Sequence, residues 1–399
     1  MTSGIGHRDP VVLFSASWNT HVRTEMGAFV RQVAGSLAAT ADVVVFTLES
    51  GPHTRFVDGA FSVHPLDAHD RSEVLHRELI SSALSSTNRH AARQHDEPAQ
   101  HPTIGADRKG ASADSWRRAN RLLHELDPSL VLISGLSDSR MIAALDASAP
   151  DTPVVLLPMV VNRGSLALPS STALLDRAQA VLVASEPERV EVAQVLPQDR
   201  RPIVRNVGYV VPTAAIAQRE PVTALAGQSY VVVHDEHRLF GLDREQRHAR
   251  FLTCAFPETP IVVVNGSGVE LWLAGNGETL TATVGSADLD RLLAWALLTV
   301  DATPGPLVSS LSIRSLRNGT PIVVPEGSRA HYHAEIGGGG LWYRDLAELR
   351  EAVREMKAGP HRERFGTEGR VYADTAYGRP RRFLDQVRSA IGACSDGAR

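Results

Sequence analysis

Cysteine and lysine are nearly absent from this 399-residue chain. Only Cys254 and Cys394 are present, which rules out a disulfide framework or a purely cysteine-based zinc site and points to a reducing compartment. Of the 41 basic residues only Lys109 and Lys357 are lysine. A GC-rich codon bias accounts for that, and it leaves almost no lysine to set against a phosphate. No apolar run reaches the roughly 18 residues of a membrane span, and Met1–Pro10 is polar, without the apolar stretch of a signal peptide. A dominant charge sign is missing as well. The formal net charge of −4 excludes the basic surface that non-specific nucleic-acid binding needs. The expectation is a soluble, cytoplasmic chain with no nucleic-acid partner. Its length and 43% hydrophobic content suit about two domains, each with its own core.

The apolar runs are short and regularly placed. Val11–Phe14, Asp42–Thr47 (DVVVFT), Leu130–Ser134 (LVLIS), Pro153–Leu157, Ala180–Ala184 and Ile203–Val207 are continuous rather than alternating. Strands covered on both faces of a parallel sheet read this way. Helical spacing appears at Phe29, Val30, Val33 and Leu37 within Gly27–Ala39, then over Trp116–Leu126 and Ser137–Ala147. Strand and helix alternate, which implies a doubly wound α/β sheet. Asn88–Ser115, polar and containing His90, His95 and His101 at no metal-ligand spacing, reads as a disordered-like surface insertion. Val211–Ser229, with Pro212, Pro221 and Gly227, reads as a linker.

After the linker the alternation restarts. Strands are expected at Tyr230–Val233, Pro260–Val264, Val300–Ala302, Thr320–Val324 and Leu341–Tyr343. Helices are expected at Arg244–Cys254, Ala287–Leu298, Ser309–Arg317 and Leu346–Met356, the last capped by Asp345, and at Pro380–Ile391 after a break at Gly378. Two α/β halves, residues 1–212 and 213–373, make a ligand cleft between them the natural expectation.

Several segments of the second half resemble the donor domain of GT-B glycosyltransferases, especially the retaining family 4 (group 1) enzymes. The likeness is strongest over Ala287–Val353, where Gly319-Thr320-Pro321 matches the family's Gly-Thr-Pro and Gly338–Leu341 its glycine turn. In the first half Asp176–Arg189 (DRAQAVLVASEPER) is similar to a family segment, and Pro380–Ile391 resembles its terminal helix. The resemblance implies the GT-B fold: two Rossmann-like doubly wound parallel-sheet domains facing across a cleft, with residues 374–399 crossing back to the first. It also implies transfer of a sugar from a nucleotide-sugar donor to an acceptor, without a cofactor or metal. A diphosphate wants helix N-termini and glycine-rich loops whose free N–H groups face the anion. On that pattern the donor side takes Ser309 and Ser310, opening their helix, Gly266 in the run Asn265–Gly268, and Glu326 after the Gly-Thr-Pro strand. Asn265–Gly268 also reads as a plain turn. Glu335 and the cluster His331-Tyr332-His333 follow the same strand. The acceptor side takes Gly27, His21 and Arg23, with Glu25, in the first loop.

The charged positions of that family are replaced here. Anchored on Gly319-Thr320-Pro321, its two donor-site glutamates fall on Pro306 and Arg314, and no acidic residue stands between Ala302 and Asn318. Its cationic clamps fall on Asp235 and Phe240; Arg238 is close enough to read as a displaced clamp, and His234 is a further polar group there. Two lost clamps, at roughly 1.5–3 kcal/mol each, would weaken donor binding by about 3–6 kcal/mol. Arg314 reads either as a cation for an anionic ligand group or as a salt bridge on a helix face. Two functions stand side by side. One is a glycosyltransferase with an altered donor site and unassigned catalytic residues. The other is a catalytically inactive homologue, acting as a sugar-binding or partner subunit of a second glycosyltransferase.

Overall fold

The computed structural model describes residues 10–15, 25–47, 56–58, 61–65, 113–135, 145–147, 149–158, 166–196, 202–211, 225, 227, 229–234, 256, 259–265, 268–272, 279–282, 286–301, 309–357 and 359–397. The chain divides into two compact units, Met1–Val207 with Arg381–Arg399, and Gly208–Pro380.

The first unit runs β1 (Pro10–Ser15), α1 (Glu25–Ala38), β2 (Asp42–Thr47), β3 (Phe56–Asp58), β4 (Phe61–Pro65), α2 (Ala113–Leu126), β5 (Leu130–Ser134), β6 (Val154–Leu157), α3 (Pro169–Arg177), β7 (Ala180–Val183), α4 (Glu186–Val195) and β8 (Ile203–Asn206). Its eight-stranded sheet has the order β3-β4-β2-β1-β5-β6-β7-β8. All neighbours are parallel except the edge pair β3–β4. Chain order reverses at β1, which has β2 on one side and β5 on the other, as in a doubly wound sheet. The continuous apolar runs are explained by cover on both faces. Val12 and Phe14 of β1 join a core with Ala119 and Leu123 of α2 and with Leu174 of α3, while Val11 and Leu13 are buried on the other side. Ser185 caps α4 by accepting from the Glu188 amide at 3.2 Å, and the Glu188 carboxylate returns to the Ala184 amide at 2.9 Å. This is a reciprocal cap of the Ser-x-x-Glu kind.

The second unit runs β9 (Val231–His234), β10 (Ile261–Asn265), β11 (Gly268–Trp272), β12 (Thr279–Ala282), α5 (Ser286–Trp295), β13 (Leu298–Asp301), α6 (Ser310–Arg317), β14 (Ile322–Pro325), α7 (His331–Gly337), β15 (Gly340–Tyr343), α8 (Leu346–Lys357) and α9 (Gly359–Tyr377). The seven-stranded order is β12-β11-β10-β9-β13-β14-β15. The stretch from β10 to β15 is parallel, and β11 and β12 add an antiparallel edge. Alternate residues of β9 serve opposite faces. Val231 and Val233 pack with Leu349, Val353 and Met356 of α8, whereas Val232 packs with Leu292 and Leu293 of α5 and Leu311 of α6. The last helix, α10 (Pro380–Gly397), sets Phe383 edge-on to Phe29 of α1, ring centroids 6.3 Å apart.

Several expectations shift. The helix expected over Ala287–Leu298 stops at Trp295, because the Leu297 amide donates to the Tyr230 carbonyl at 2.8 Å and Leu298 pairs with Val231 in the sheet. Asn265 ends β10 and pairs with Gly268, the first residue of the antiparallel β11, while Gly266 and Ser267 lie outside the described residues. The last three residues of the expected insertion, from Ala113, already belong to α2. The rest of that insertion, the helix Arg244–Cys254, and the linker from Pro212 to Ala224 lie outside the described residues. No helix among the described residues is long and apolar enough to cross a membrane.

Candidate functional site

In an open α/β sheet the ligand edge is the carboxyl end of the strands, at the point where strand order reverses. In the second unit that point lies between β9 and β13, and both strands end on a polar residue. His234 closes β9, Asp301 closes β13, and the two are register partners. His234 Nδ1 lies 3.2 Å from Asp301 Oδ1. The other carboxylate oxygen accepts hydroxyls from Ser309 and, at 2.7 Å, from Ser312. Ser309 is the N-cap of α6 and its Oγ also accepts from the Ser312 amide at 3.1 Å, so Asp301 fixes the first turn of that helix. Arg329, in the turn after β14, brings Nη2 to 3.3 Å from His234 Nδ1. Asp301, Ser309 and Ser312 are completely buried, and His234 and Arg329 nearly so.

Burial alone would raise the Asp301 carboxyl. The charge and hydrogen bond of His234, the charge of Arg329 and the Ser309 hydroxyl outweigh it, and the group is held well below the ordinary carboxylate range. Asp301 is therefore a buried anion, satisfied from three elements. Behind it stands His333 of α7, buried, with Nδ1 2.9 Å from the Tyr372 hydroxyl. Desolvation lowers His333 to about 4; Asp301 pulls the other way and Arg329 reinforces the shift. Tyr372, bonded in turn to Tyr377, is pushed up to about 12 by burial.

The far end of α6 is fixed as firmly. Gly319 takes φ +76°. Its amide donates to the Leu316 carbonyl at 2.8 Å, and the Thr320 amide reaches back to the Ser315 carbonyl at 3.0 Å. That is a Schellman cap, so the Gly-Thr-Pro signature ends the helix that the candidate site begins. One helix turn in from Ser312, Ser315 donates to Thr299 at 2.7 Å, tying α6 to β13 directly beneath Asp301.

The sequence candidates fall in different places. Ser309 is inside the polar cluster and Ser310 opens α6, half-buried. Arg314 lies on α6, with Nε donating to the buried Asp290 of α5 at 3.1 Å, an acceptor shared with Asn318. Glu326 follows β14, its amide bonded to the Tyr343 carbonyl at 2.8 Å. His331 accepts from the Gly327 amide at 3.2 Å and meets Trp342 edge-on, and Glu335 is exposed on α7. Gly27 lies in the first turn of α1. Gly266, Arg238, His21 and Arg23 lie outside the described residues. Three members of the cluster, Asp301, Ser312 and Arg329, carry no sequence motif. The available signal is a charged residue ending an otherwise apolar strand (LTVD), which an α/β sheet places on its ligand edge.

No family model matches the chain, and no curated protein matches it in sequence. Solved structures do match in shape. Sucrose-phosphate synthase from Thermosynechococcus elongatus superposes with a TM-score of 0.66 at 14% identity, over 97% of this chain and 100% of that one. An α,α-trehalose 6-phosphate synthase from Burkholderia multivorans gives 0.62 at 15% identity, over 98% and 100%. The Anabaena protein HepE, in complex with UDP-glucose, gives 0.58 at 11% identity, over 96% and 100%. The chain has the GT-B fold. At these identities the likeness is one of fold, and function has to be argued from the site itself.

Proposed function

We propose that this GT-B chain is a nucleotide-sugar-dependent glycosyltransferase of the retaining type, related to the family 4 enzymes it resembles in sequence. Its donor binds at the carboxyl edge of the second sheet. The observation that carries this reading is the polar cluster on the first turn of α6, where Ser309 caps the helix and Asp301, His234 and Arg329 converge at the reversal of strand order. Like-folded proteins include one in complex with UDP-glucose, which makes UDP-glucose the first donor to try. Ser309, Ser310, Arg314 and Glu326, with Gly266 and Arg238, are proposed on the donor side, and Gly27, His21 and Arg23 on the acceptor side. The diphosphate is held by protein groups, without a metal or cofactor, and the reaction takes place in the cytoplasm.

A second reading rests on two observations. No acidic residue stands between Ala302 and Asn318, and the Arg314 guanidinium is bound to Asp290. These favour a chain that keeps the ligand edge without the chemistry, serving as a sugar-binding or partner subunit of a second glycosyltransferase. One pair of measurements separates the two. Melting of the purified chain is followed with millimolar UDP, GDP, UDP-glucose and GDP-mannose, and release of nucleoside diphosphate is measured with and without sugar acceptors. A ligand at about 100 times its Kd stabilises by about 2.7 kcal/mol, so binding will be visible. A shift with turnover supports the enzyme, and a shift without turnover supports the silent homologue. Absence of any shift removes the nucleotide-sugar reading.

A further inference from the structure

The turn that leads from β14 into α7 is closed by its own backbone. The Ser328 amide donates to the Pro325 carbonyl and the His331 amide to the Ser328 carbonyl, each at 3.1 Å. The Gly327 amide donates to His331 Nδ1 at 3.2 Å. A ring nitrogen that accepts an amide hydrogen carries none of its own, so the neutral imidazole holds its proton on Nε2. That Nε2–H and the Ser328 hydroxyl are both enclosed, and neither has a hydrogen-bond partner. Ser328 as a whole is only 9% exposed. Folded chains leave few enclosed polar groups unmatched, and two on a single turn call for a partner that the chain itself does not supply.

The surroundings say what kind of partner that is. The turn stands at the carboxyl edge of the second sheet, and its Arg329 points to His234 and sets its charge against Asp301. The cation of the turn is thereby committed inside the protein, and the two remaining groups are uncharged. Uncharged donors suit the hydroxyls of a neutral ligand, whereas a phosphate is best matched by a charged donor. Space is open beside the turn, since a Cβ on Gly327 would meet nothing within 4 Å. The Trp342 ring, 40% exposed, meets the His331 ring edge-on at 5.2 Å.

We propose that Ser328 and His331 hydrogen-bond the hydroxyls of a sugar, His331 Nε2–H donating to one oxygen and the Ser328 hydroxyl pairing with another. The proposal rests on the reading that a nucleotide-sugar binds at this edge. It adds that this turn reads the sugar and not the diphosphate.

Two substitutions test it. Ser328→Ala removes the enclosed hydroxyl, and His331→Asn keeps an acceptor for the Gly327 amide but has nothing in place of Nε2. UDP, GDP, UDP-glucose and GDP-mannose are titrated calorimetrically into the full chain and both variants, and melting curves are recorded without ligand. Each variant should bind UDP or GDP as the wild type does and lose about threefold to tenfold in affinity for the matching nucleotide-sugar. Ser328→Ala should melt at or above the wild type, because the hydroxyl it removes has no partner until the sugar arrives. Free glucose, titrated with UDP present, tells the two sources of a sugar apart. A loss confined to glucose keeps the hydroxyl contact and moves it to the acceptor. Variants that bind every ligand as the wild type does overturn the proposal, as does a Ser328→Ala that melts lower; both mean that the two groups hold a buried water only. Equal losses for diphosphate and nucleotide-sugar overturn it too, and leave the donor-site reading standing. A wild type that holds neither nucleotide-sugar more tightly than its bare diphosphate, and that binds no glucose, has the same effect. A wild type that binds no nucleotide at all overturns both. Should the asparagine variant not fold, Ser328→Ala decides by its affinities and its melting together.

Discussion

Lowering the pH from 7 to 4 should destabilise the second unit through His333. The ring is buried against Tyr372 and Tyr377, and desolvation lowers it to about 4 from an ordinary 6.5. Tyr372 bonds both His333 and Tyr377, so the neutral ring, accepting on Nδ1, suits a chain of hydroxyls running Tyr377 to Tyr372 to His333. Protonation would make Nδ1 a donor and reverse that chain inside the core. Between pH 6.5 and 4 the unfolded chain therefore binds a proton that the folded chain refuses. Stability is whole above 6.5 and is lost as the pH falls toward 4, by about 2 kcal/mol at pH 5 and about 3 kcal/mol at pH 4. The assay is urea unfolding followed by tryptophan fluorescence at pH steps from 7.5 to 4.5, for the wild type and His333→Gln. Glutamine keeps an acceptor for Tyr372 and does not titrate. The variant should be the less stable protein at pH 7.5 and show a shallower fall with acid. Carboxylates elsewhere contribute equally to both, so the difference in slope isolates the ring. Equal slopes would refute the reasoning.

Asp301→Ala removes the acceptor from two serine hydroxyls and the counter-charge from Arg329, and should cost about 3–5 kcal/mol by chemical denaturation. Arg314→Ala should cost about 1.5–3 kcal/mol by leaving the buried Asp290 short of its cation and should weaken nucleotide binding by calorimetry; unchanged affinity would confine Arg314 to the salt bridge. Ser185→Ala removes the cap of α4 and should lower stability by about 1 kcal/mol, visible as a lower Tm. Gly369→Ala puts a methyl 2.6 Å from Leu316 Cδ2 and 2.9 Å from Gly339 Cα, and should cost about 1–3 kcal/mol in denaturation midpoint. Gly392→Ala on α10, with nothing within 4 Å, should be neutral or gain up to about 1 kcal/mol.

The sheets were legible for a definite reason. Strands covered on both faces need unbroken apolar runs, and Leu130–Ser134 and Asp42–Thr47 read directly as β5 and β2. Elements that settle on other grounds were not. Strands β11 (GVELW) and β12 (TLTA) are an antiparallel edge with mixed composition, and nothing in their local pattern distinguishes them from loop. Helix α9 packs through close backbone approach rather than an apolar stripe. Gly366 lies against the Gly319 carbonyl and Gly369 against Gly339, so the glycines that weaken it as an isolated helix are what seat it. Leu298 reads as the last turn of a helix until its pairing with Val231 makes it a strand residue.

The candidate site divides along the same line. Ser309 could be found because a helix start has a local grammar of capping serine and first turn. His234 could be noted as a polar group closing a strand, but its meeting with Asp301 and Arg329 could not, since 67 residues separate it from the first and 95 from the second. Motif matching tests residue types at fixed offsets and so reported only that familiar charges were missing between Ala302 and Asn318. The charge had not left the site. It stands one residue before that segment, at the end of β13, where a buried carboxylate is tolerable only because a second strand, a helix cap and a distant turn each supply a donor. That requirement makes Asp301 more informative than its isolation in the sequence suggests. A lone acid closing an apolar strand has to be satisfied from several elements, and in an α/β sheet they meet at the ligand edge.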